Sequence, residues 1–443
     1  MHAIAVFFTK LISKWLPDPL VVAILLTFIS LIIASVFGNA SLPQAIMYWG
    51  DGIWNLLAFT MQMTIILLAG YMLAKTPVVD KLLNKIVSLV KTPKKAIIMI
   101  TLISAIGSWL NWGFGLVVGS IIAKKAAIKV KGLHYPLAIA AGFSGFSLYG
   151  IGLSGSVPLL IASSNHFLKD VMGVIPIQET IFSNYIIAIN LAIIILLPFF
   201  NALMHPRNPS HIIEIKEEAI QEDIFDDHHT LPYFSLSNHL NNSPWVGYTL
   251  GILGLVYIVM YFAKGGSVSL NTVNFIFLIL GIFLFARPNA YLRALNEAIS
   301  IVAGVIVQYP FYAGIMAILV GSGIVSQFSQ LFTQISSPET LPLWSFISAG
   351  IINIFIPSGG GQWAVQGPIM MEAARALHAD IAATAIGVQI GDQWTNIVQP
   401  FWILPILAIS GLKLKDVMGY LVLIFLFLGI IFGAGVIAWG FGL

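Results

Sequence analysis

From Val417 to Leu443 the chain runs without one charged side chain, and Leu20–Phe37 does the same. Uncharged apolar runs of about 18 or more residues fit the hydrocarbon core of a bilayer as helices. Composition carries the point to the whole chain, which is 58% hydrophobic and only 9% charged, against roughly 25% charged in a soluble domain. So little charge cannot cover a surface facing water. A membrane β-barrel would show alternating segments of about ten residues, and the sequence has none, so the expected class is an all-α integral membrane protein. The net charge of +3 gives no argument for nucleic acid, because the basic residues are scattered between apolar runs, which is how membrane topology is written. Cysteine is absent, which excludes disulfides and thiol chemistry.

Lysine placement sets the expected threading. Between Lys95 and Lys124 lie 28 uncharged residues, about 42 Å as one straight helix against a hydrocarbon core of about 30 Å. Asn111-Trp112-Gly113-Phe114-Gly115 breaks the run at its centre, and lysines cluster on both sides of it. A re-entrant hairpin over 96–123 keeps both clusters in the cytoplasm, as the positive-inside rule asks. A second uncharged run, broken by Pro357-Ser358-Gly359-Gly360-Gly361, cannot be one smooth helix. Its flanks lack basic clusters, so this hairpin, 343–372, is expected to enter from outside. Nine crossings complete the thread, near 18–37, 53–74, 136–162, 183–204, 244–263, 272–286, 299–324, 382–411 and 417–440. All of the 21 Lys and Arg except Lys169, Lys264 and Arg375 then lie inside. Met1–Leu16 carries Phe7, Phe8, Leu11, Ile12 and Trp15 on one helical face and is expected to lie on the cytoplasmic surface. It does not have the form of a signal peptide.

Three segments follow. Residues 1–204 form an N-terminal membrane repeat and 244–443 a C-terminal one. The hydrophilic stretch 205–243, with seven acids between Glu214 and Asp227 and a His228–His229 pair, is a cytoplasmic linker. Span, hairpin, span, span occurs once from each side of the membrane. This inverted-topology repeat brings two hairpin tips together near the midplane.

Irregular backbone at that depth must line a cavity or be buried in protein. Four such places stand in matched pairs. The tips offer Asn111 and Gly113 in one half, and Ser358, Gly359, Gly360 and Gln362 in the other. The breaks offer Ser154 and Ser156 within 152–158, and Thr395 and Asn396 within 393–400. These are the expected substrate-binding residues. Broken helices expose N–H groups at the positive end of the dipole, which suits an anion, and no Lys or Arg falls within an expected span to pair with one. Asp392 lies well inside a span, where a carboxylate costs at least ~2.5–3.5 kcal/mol on insertion scales. It is the expected ion-coupling residue, with proton and sodium both open. No metal or organic cofactor is expected.

The same motifs carry a resemblance. Ile356 through Pro368, Trp15 through Leu20, Trp49-Gly50-Asp51-Gly52, Asn111 through Gly119, Gly152 through Pro158, Pro310 through Gly314 and Gln399-Pro400-Phe401-Trp402 resemble the short-chain fatty acid transporter family of the AtoE type. The linker 205–243 has no match in it. The resemblance implies import of monocarboxylates such as acetoacetate or butyrate, for which cation symport is expected because a carboxylate enters against a negative-inside potential. It also implies an elevator-type architecture like that of the ion transporter superfamily, in a bacterial inner membrane. The alternative within transport is a carrier of another organic anion, such as a dicarboxylate or an acylated amino acid. A membrane enzyme would need an acid or histidine constellation, and the deep acids reduce to Asp392. The expected partners are lipid and a short-chain carboxylate, with a homodimer left open and no nucleic acid.

The first hairpin gives a direct test. Single cysteines introduced at Lys85 and Lys129 should both react with a membrane-impermeant thiol reagent from the cytoplasmic side. Labelling from opposite sides would remove the hairpin, and the inverted repeat with it.

Overall fold

Pro77, Pro93, Pro136, Pro244, Pro288 and Pro342 each stand in the first turn of a helix, where the missing N–H has no intrahelical partner to lose. The computed structural model describes residues 19–215 and 235–443, apart from Phe355, Pro400, Phe401, Leu404, Pro405, Ala408 and Ile409. The surface helix expected over 1–16, and His228–His229 with most of the acidic linker, lie outside the described residues. Every regular element among those described is helical.

One order of elements occurs twice. In the first half, α1 (Pro19–Val36) and α2 (Leu42–Gly52) lead into α3 (Leu57–Ala74) and the short α4 (Pro77–Ser88). Then come α5 (Pro93–Leu110) and α6 (Trp112–Lys129), followed by α7 (Tyr135–Ser144). The last continues as a 3₁₀ turn (Gly145–Ile151), breaks, and resumes as α8 (Ser156–Ile161) before α9 (Asn184–Leu203). The second half repeats this with α10 (Pro244–Ala263), α11 (Leu270–Phe285), α12 (Pro288–Gly321) and α13 (Ile324–Ile335). After these come α14 (Leu341–Ile352), α15 (Gly359–Leu377), α16 (Ile381–Asn396), a break, and α17 (Leu414–Phe441).

Packing repeats with the order. α6 lies on α3 and α4 as α15 lies on α12 and α13, and α5 lies on the broken helix and on α9 as α14 lies on α16 and α17. The halves meet through like elements: α3 on α12, α9 on α17, and the 3₁₀ turn on α16. The leading helices are exchanged, with α1 and α2 packed on α12 and α11 packed on α3. α5 and α6 fold back on each other at Asn111, where Gly107 and Gly115 come so close that a Cβ on Gly107 would sit 3.2 Å from the Gly115 Cα.

Seven described helical stretches are long and apolar enough to cross a membrane. Two of the nine stretches read from sequence form shorter helices, Leu20–Val36 and Leu270–Phe285, and a third, 382–411, is interrupted after Asn396 and is helical again at Trp402, Ile403, Ile406 and Leu407. Pro93–Leu110, one of the seven, is an arm of the fold-back at Asn111. α12 begins eleven residues before the expected start at 299 and is 34 residues long, about 51 Å. The short helices α2, α4 and α13 were not visible in the search for long apolar runs. α4 buries only Val79, Leu83 and Val87, one stripe at four-residue spacing, and keeps Lys81 and Lys85 exposed.

The start of the linker is tied to the helical body by a pair of histidines. The His134 Nδ1 accepts from the Ile213 N–H at 3.0 Å, and its Nε2 lies 2.9 Å from the Tyr420 hydroxyl. The His134 N–H donates to the His205 Nε2 at 3.2 Å, and the Tyr135 N–H donates to the Ile213 carbonyl at 2.8 Å. The Gly132 N–H donates to a Glu214 carboxylate oxygen at 2.5 Å. The His134 ring accepts from a backbone amide, so it must be neutral at Nδ1. Burial, then the neighbouring His205, pushes His134 down from 6.5 to about 4. A pKa lowered in the folded state stabilises the docked segment fully above pH 6.5 and loses that contribution as pH falls toward 4. Amide exchange at Ile213 and Tyr135, corrected for its intrinsic pH dependence, should therefore be faster at pH 5 than at pH 7. Equal protection at both values would show that His134 does not hold the segment.

Candidate functional site

Each fold-back turns at a residue that caps its second helix, and in the first the same residue also ends the helix before it. Asn111 is extended, and its Oδ1 accepts from the Phe114 N–H at 3.0 Å. Its Nδ2 donates to the Ile66 carbonyl of α3 at 3.1 Å. Ser358, also extended, accepts from the Gly361 N–H at 3.3 Å and shares a 2.7 Å hydrogen bond with the Tyr309 hydroxyl. These are N-caps that satisfy first-turn amides water cannot reach. Each break is stitched to the tip of its own half. In the first, the Leu153 N–H donates to the Trp109 carbonyl at 2.7 Å, and the Ser154 Oγ accepts from the Trp112 N–H at 2.9 Å. In the second, the Gln399 Nε2 donates to the Asn353 carbonyl at 2.8 Å and the Ile354 carbonyl at 3.2 Å.

A small cleft opens where these parts meet. Trp112, Ser156 and Gly359, the first residues of α6, α8 and α15, all line it. Its hydroxyl and amide groups come from Tyr149, Ser156, Gln308, Tyr309 and Ser358, and its apolar walls from Met63, Trp112, Pro357 and Trp402. No Lys or Arg is among the lining residues.

Asp392 lies directly behind this wall and is 1% exposed. Its Oδ2 accepts from the Tyr149 hydroxyl and, at 3.2 Å, from the Asn396 Nδ2, while its Oδ1 has no hydrogen-bond partner among the described residues. A Cβ on Gly359 would sit 3.2 Å from that Oδ2, so the glycine lets α15 begin against the acid. The 3₁₀ turn aims Tyr149. Side chains three apart eclipse in a 3₁₀ helix, and Phe146 accordingly stacks on Tyr149 at 4.4 Å between ring centres. The tyrosine thus joins a cleft wall to the acid.

Of the residues expected to bind substrate, Ser156, Ser358 and Gly359 line the cleft. Asn111, Gly113 and Ser154 hold the first tip in place; a Cβ on Gly113 would meet the Leu67 carbonyl at 2.8 Å. Gly360 backs onto Phe59, where a Cβ would come within 2.6 Å of the ring. Gln362 turns into its own hairpin, donating to the Ala349 carbonyl at 3.0 Å and to Gln366 at 2.8 Å. Thr395 and Asn396 face Asn353. Sequence reasoning passed over Tyr149, Gln308, Tyr309, Asn353 and Gln389. One signal was there to read: Gln389, Asp392, Gln393 and Asn396 form a polar stripe at helical spacing in an otherwise mostly apolar helix.

Solved structures share the fold. The chain superposes on the Alcanivorax borkumensis YdaH transporter with a TM-score of 0.65, over 96% of this chain and 99% of that one, at 15% identity. It matches Neisseria gonorrhoeae MtrF, described within a class of antimetabolite efflux pumps, with a TM-score of 0.57 over 96% and 95% of the two chains, at 18% identity. The fold of the described residues is therefore that of a helical, multi-pass membrane protein. Residues 1–439 match the family model described as short chain fatty acid transporter, and the chain belongs to that family. An Escherichia coli (strain K12) protein named "Putative short-chain fatty acid transporter" is 40% identical over 431 residues, 97% of this chain and 98% of its own length. A Haemophilus influenzae protein of the same name is 40% identical over 437 residues, with the same coverage. The chain is accordingly a multi-pass protein of the bacterial inner membrane.

The stitching predicts how one serine fails. Ser154→Ala leaves the buried Trp112 N–H without its acceptor, which costs about 1–3 kcal/mol. The purified variant should unfold at a lower temperature than the parent while substrate half-saturation stays close to normal. A large loss of affinity at unchanged stability would place Ser154 on the substrate instead.

Proposed function

We propose that the protein imports short-chain fatty acids, of the size of acetoacetate or butyrate, by cation symport through an inverted pair of re-entrant hairpins. One observation carries this reading. The cleft offers an anion only neutral donors and the positive ends of broken helices, beside apolar walls, with a buried acid behind them. A monocarboxylate fits such a site. Its charge meets helix N-termini and hydroxyls, and its tail meets Met63, Trp112 and Trp402. The fold-backs at Asn111 and at Pro357–Ser358 serve as the hairpins, and the matched order and packing of the two halves support the inverted repeat.

Energetics then call for a cation. A carboxylate entering a negative-inside cell at 100 mV works against ~2.3 kcal/mol per charge, so accumulation needs at least one positive charge alongside it. Asp392 is buried, touches a cleft residue through Tyr149, and has an oxygen without a partner. It serves as the coupling group.

The experiment is uptake of labelled butyrate into proteoliposomes, with proton and sodium gradients imposed separately. Ser358→Ala removes a hydroxyl on the cleft, worth about 1.5–3 kcal/mol if it meets a charged group, and should raise half-saturation ten-fold or more. Asp392→Asn should abolish gradient-driven accumulation and retain downhill exchange. If Asp392→Asn concentrates butyrate as the parent does, the acid is structural. If dicarboxylates compete for uptake and butyrate does not, the substrate class is wrong.

A further inference from the structure

The short helix α4 carries four different stripes. Side chains four apart lie above one another on a helix. Val79, Leu83 and Val87 form the stripe buried on the helical body. Val78 and Leu82, with Leu89 just past the helix end, form a second apolar stripe, and these are 51%, 53% and 76% exposed. Lys81 and Lys85, both exposed, form a third, and Asp80, Asn84 and Ser88 a fourth. Each residue turns the helix by about 100°, so the order around it is buried apolar, exposed apolar, basic, polar. The lysines therefore stand at the seam between the exposed apolar stripe and the polar one.

The polar stripe is already engaged. The Lys125 Nζ of α6 lies 2.9 Å from the Asp80 Oδ1 and donates to the Asn84 Oδ1 at 3.0 Å. The Asn84 Nδ2 in turn donates to the Asp80 Oδ2 at 3.0 Å. Asp80 is the one acid of α4, and Lys125 neutralises it. The helix is left with the charge of Lys81 and Lys85. Exposed Lys91, Lys94 and Lys95 follow it, and no Asp or Glu occurs again before Asp170. An exposed apolar stripe edged by lysines is the pattern of a helix lying in the plane of a membrane surface. The lysine stems run along apolar surface there while the ammonium groups reach outward.

We propose that α4 lies in the inner-leaflet interface and binds anionic phospholipid headgroups through Lys81 and Lys85, with Val78, Leu82 and Leu89 among the acyl chains. Charge complementarity selects the partner, because a zwitterionic headgroup offers the lysines no net charge. The Asp80–Lys125 pair sets the rotation of α4, turning its acid to the body and its lysines away from it. The same pair fastens the lipid contact to α6, the fold-back arm whose first residue, Trp112, lines the cleft. Such a contact requires only that the chain span a membrane, whatever it carries.

The chain has no cysteine, so Leu82→Cys takes a single bimane fluorophore. The labelled full chain is reconstituted into phosphatidylcholine vesicles in which a set fraction of the lipid is brominated phosphatidylcholine or brominated phosphatidylglycerol. Quenching then gives the relative association of the two lipids with α4. Both should quench, and phosphatidylglycerol should associate more tightly, by about five-fold for each lysine it meets. Lys81→Gln together with Lys85→Gln should bring the ratio to one. Lys81→Arg together with Lys85→Arg should keep it, which separates a lost charge from a damaged helix. Equal association of the two lipids in the parent overturns the site. A preference that survives the glutamine pair, or is lost in the arginine pair, overturns the assignment to these lysines. Absence of quenching by either lipid, with disulfide joining of two unlabelled chains at Leu82→Cys, overturns the lipid and gives the stripe to a second copy.

Discussion

An interrupted helix inside a bilayer must hand its free amides and carbonyls to protein, because lipid accepts neither. The rest of this structure depends on how that constraint is met. The first tip gives its amides to Asn111 and Ser154 and its Trp109 carbonyl to Leu153. The second gives the Gly361 amide to Ser358 and the Asn353 and Ile354 carbonyls to Gln399. In each half the break therefore answers its own tip. The two are not separate defects in separate helices but one joint, and the cleft exists because both joints meet at the same depth.

The division of labour among the polar residues follows from this. Residues that satisfy backbone groups are fixed and fully buried, as Asn111, Ser154 and Asn353 are. They cannot also be offered to a substrate. What remains for the cleft are groups whose partners leave capacity to spare: the Ser156 hydroxyl, the Ser358–Tyr309 pair, and Tyr149 shared between the cleft and Asp392. A hydroxyl both donates and accepts, which is why hydroxyls recur there. The apolar remainder of the wall includes two indoles, Trp112 and Trp402, edge to face at 5.5 Å.

Much of this was legible in the sequence, for a definite reason. Glycine, proline and charge act locally, so the breaks at Asn111 and Pro357–Ser358 and the depth of Asp392 can be read without knowing any neighbour. Facing is different. Each residue turns a helix by about 100°, so moving the end of α16 from Gln393 to Asn396 turns a site-facing side chain most of the way round. That is why Thr395 and Asn396 read alike with Ser358 in sequence yet stand behind the acid, against Asn353. Tyr149 was hidden for a related cause. Its position depends on a 3₁₀ turn that brings Phe146 beneath it, and a Gly-Phe-Ser-Leu-Tyr-Gly stretch has no signature that separates 3₁₀ from α. The short helices α4 and α13 escaped because twelve residues with one apolar stripe fall below the length that marks a membrane span.

Helix polarity then sorts the site into two electrical sides. The N-terminal ends of α6 and α15 meet at the cleft, and the C-terminal ends of α14 and α16 meet at Asn353 and Asn396. α14 and α15 flank one turn, so the tip that presents an N-terminus on one side necessarily presents a C-terminus on the other. A helical fold-back thus sets a positive and a negative dipole end a few residues apart, with no formal charge of its own. Asp392 stands between them as the one buried acid among the described residues, its carboxylate accepting from Tyr149 and its carbonyl from Asn353. Any ion bound on one side changes the field felt on the other across a single residue.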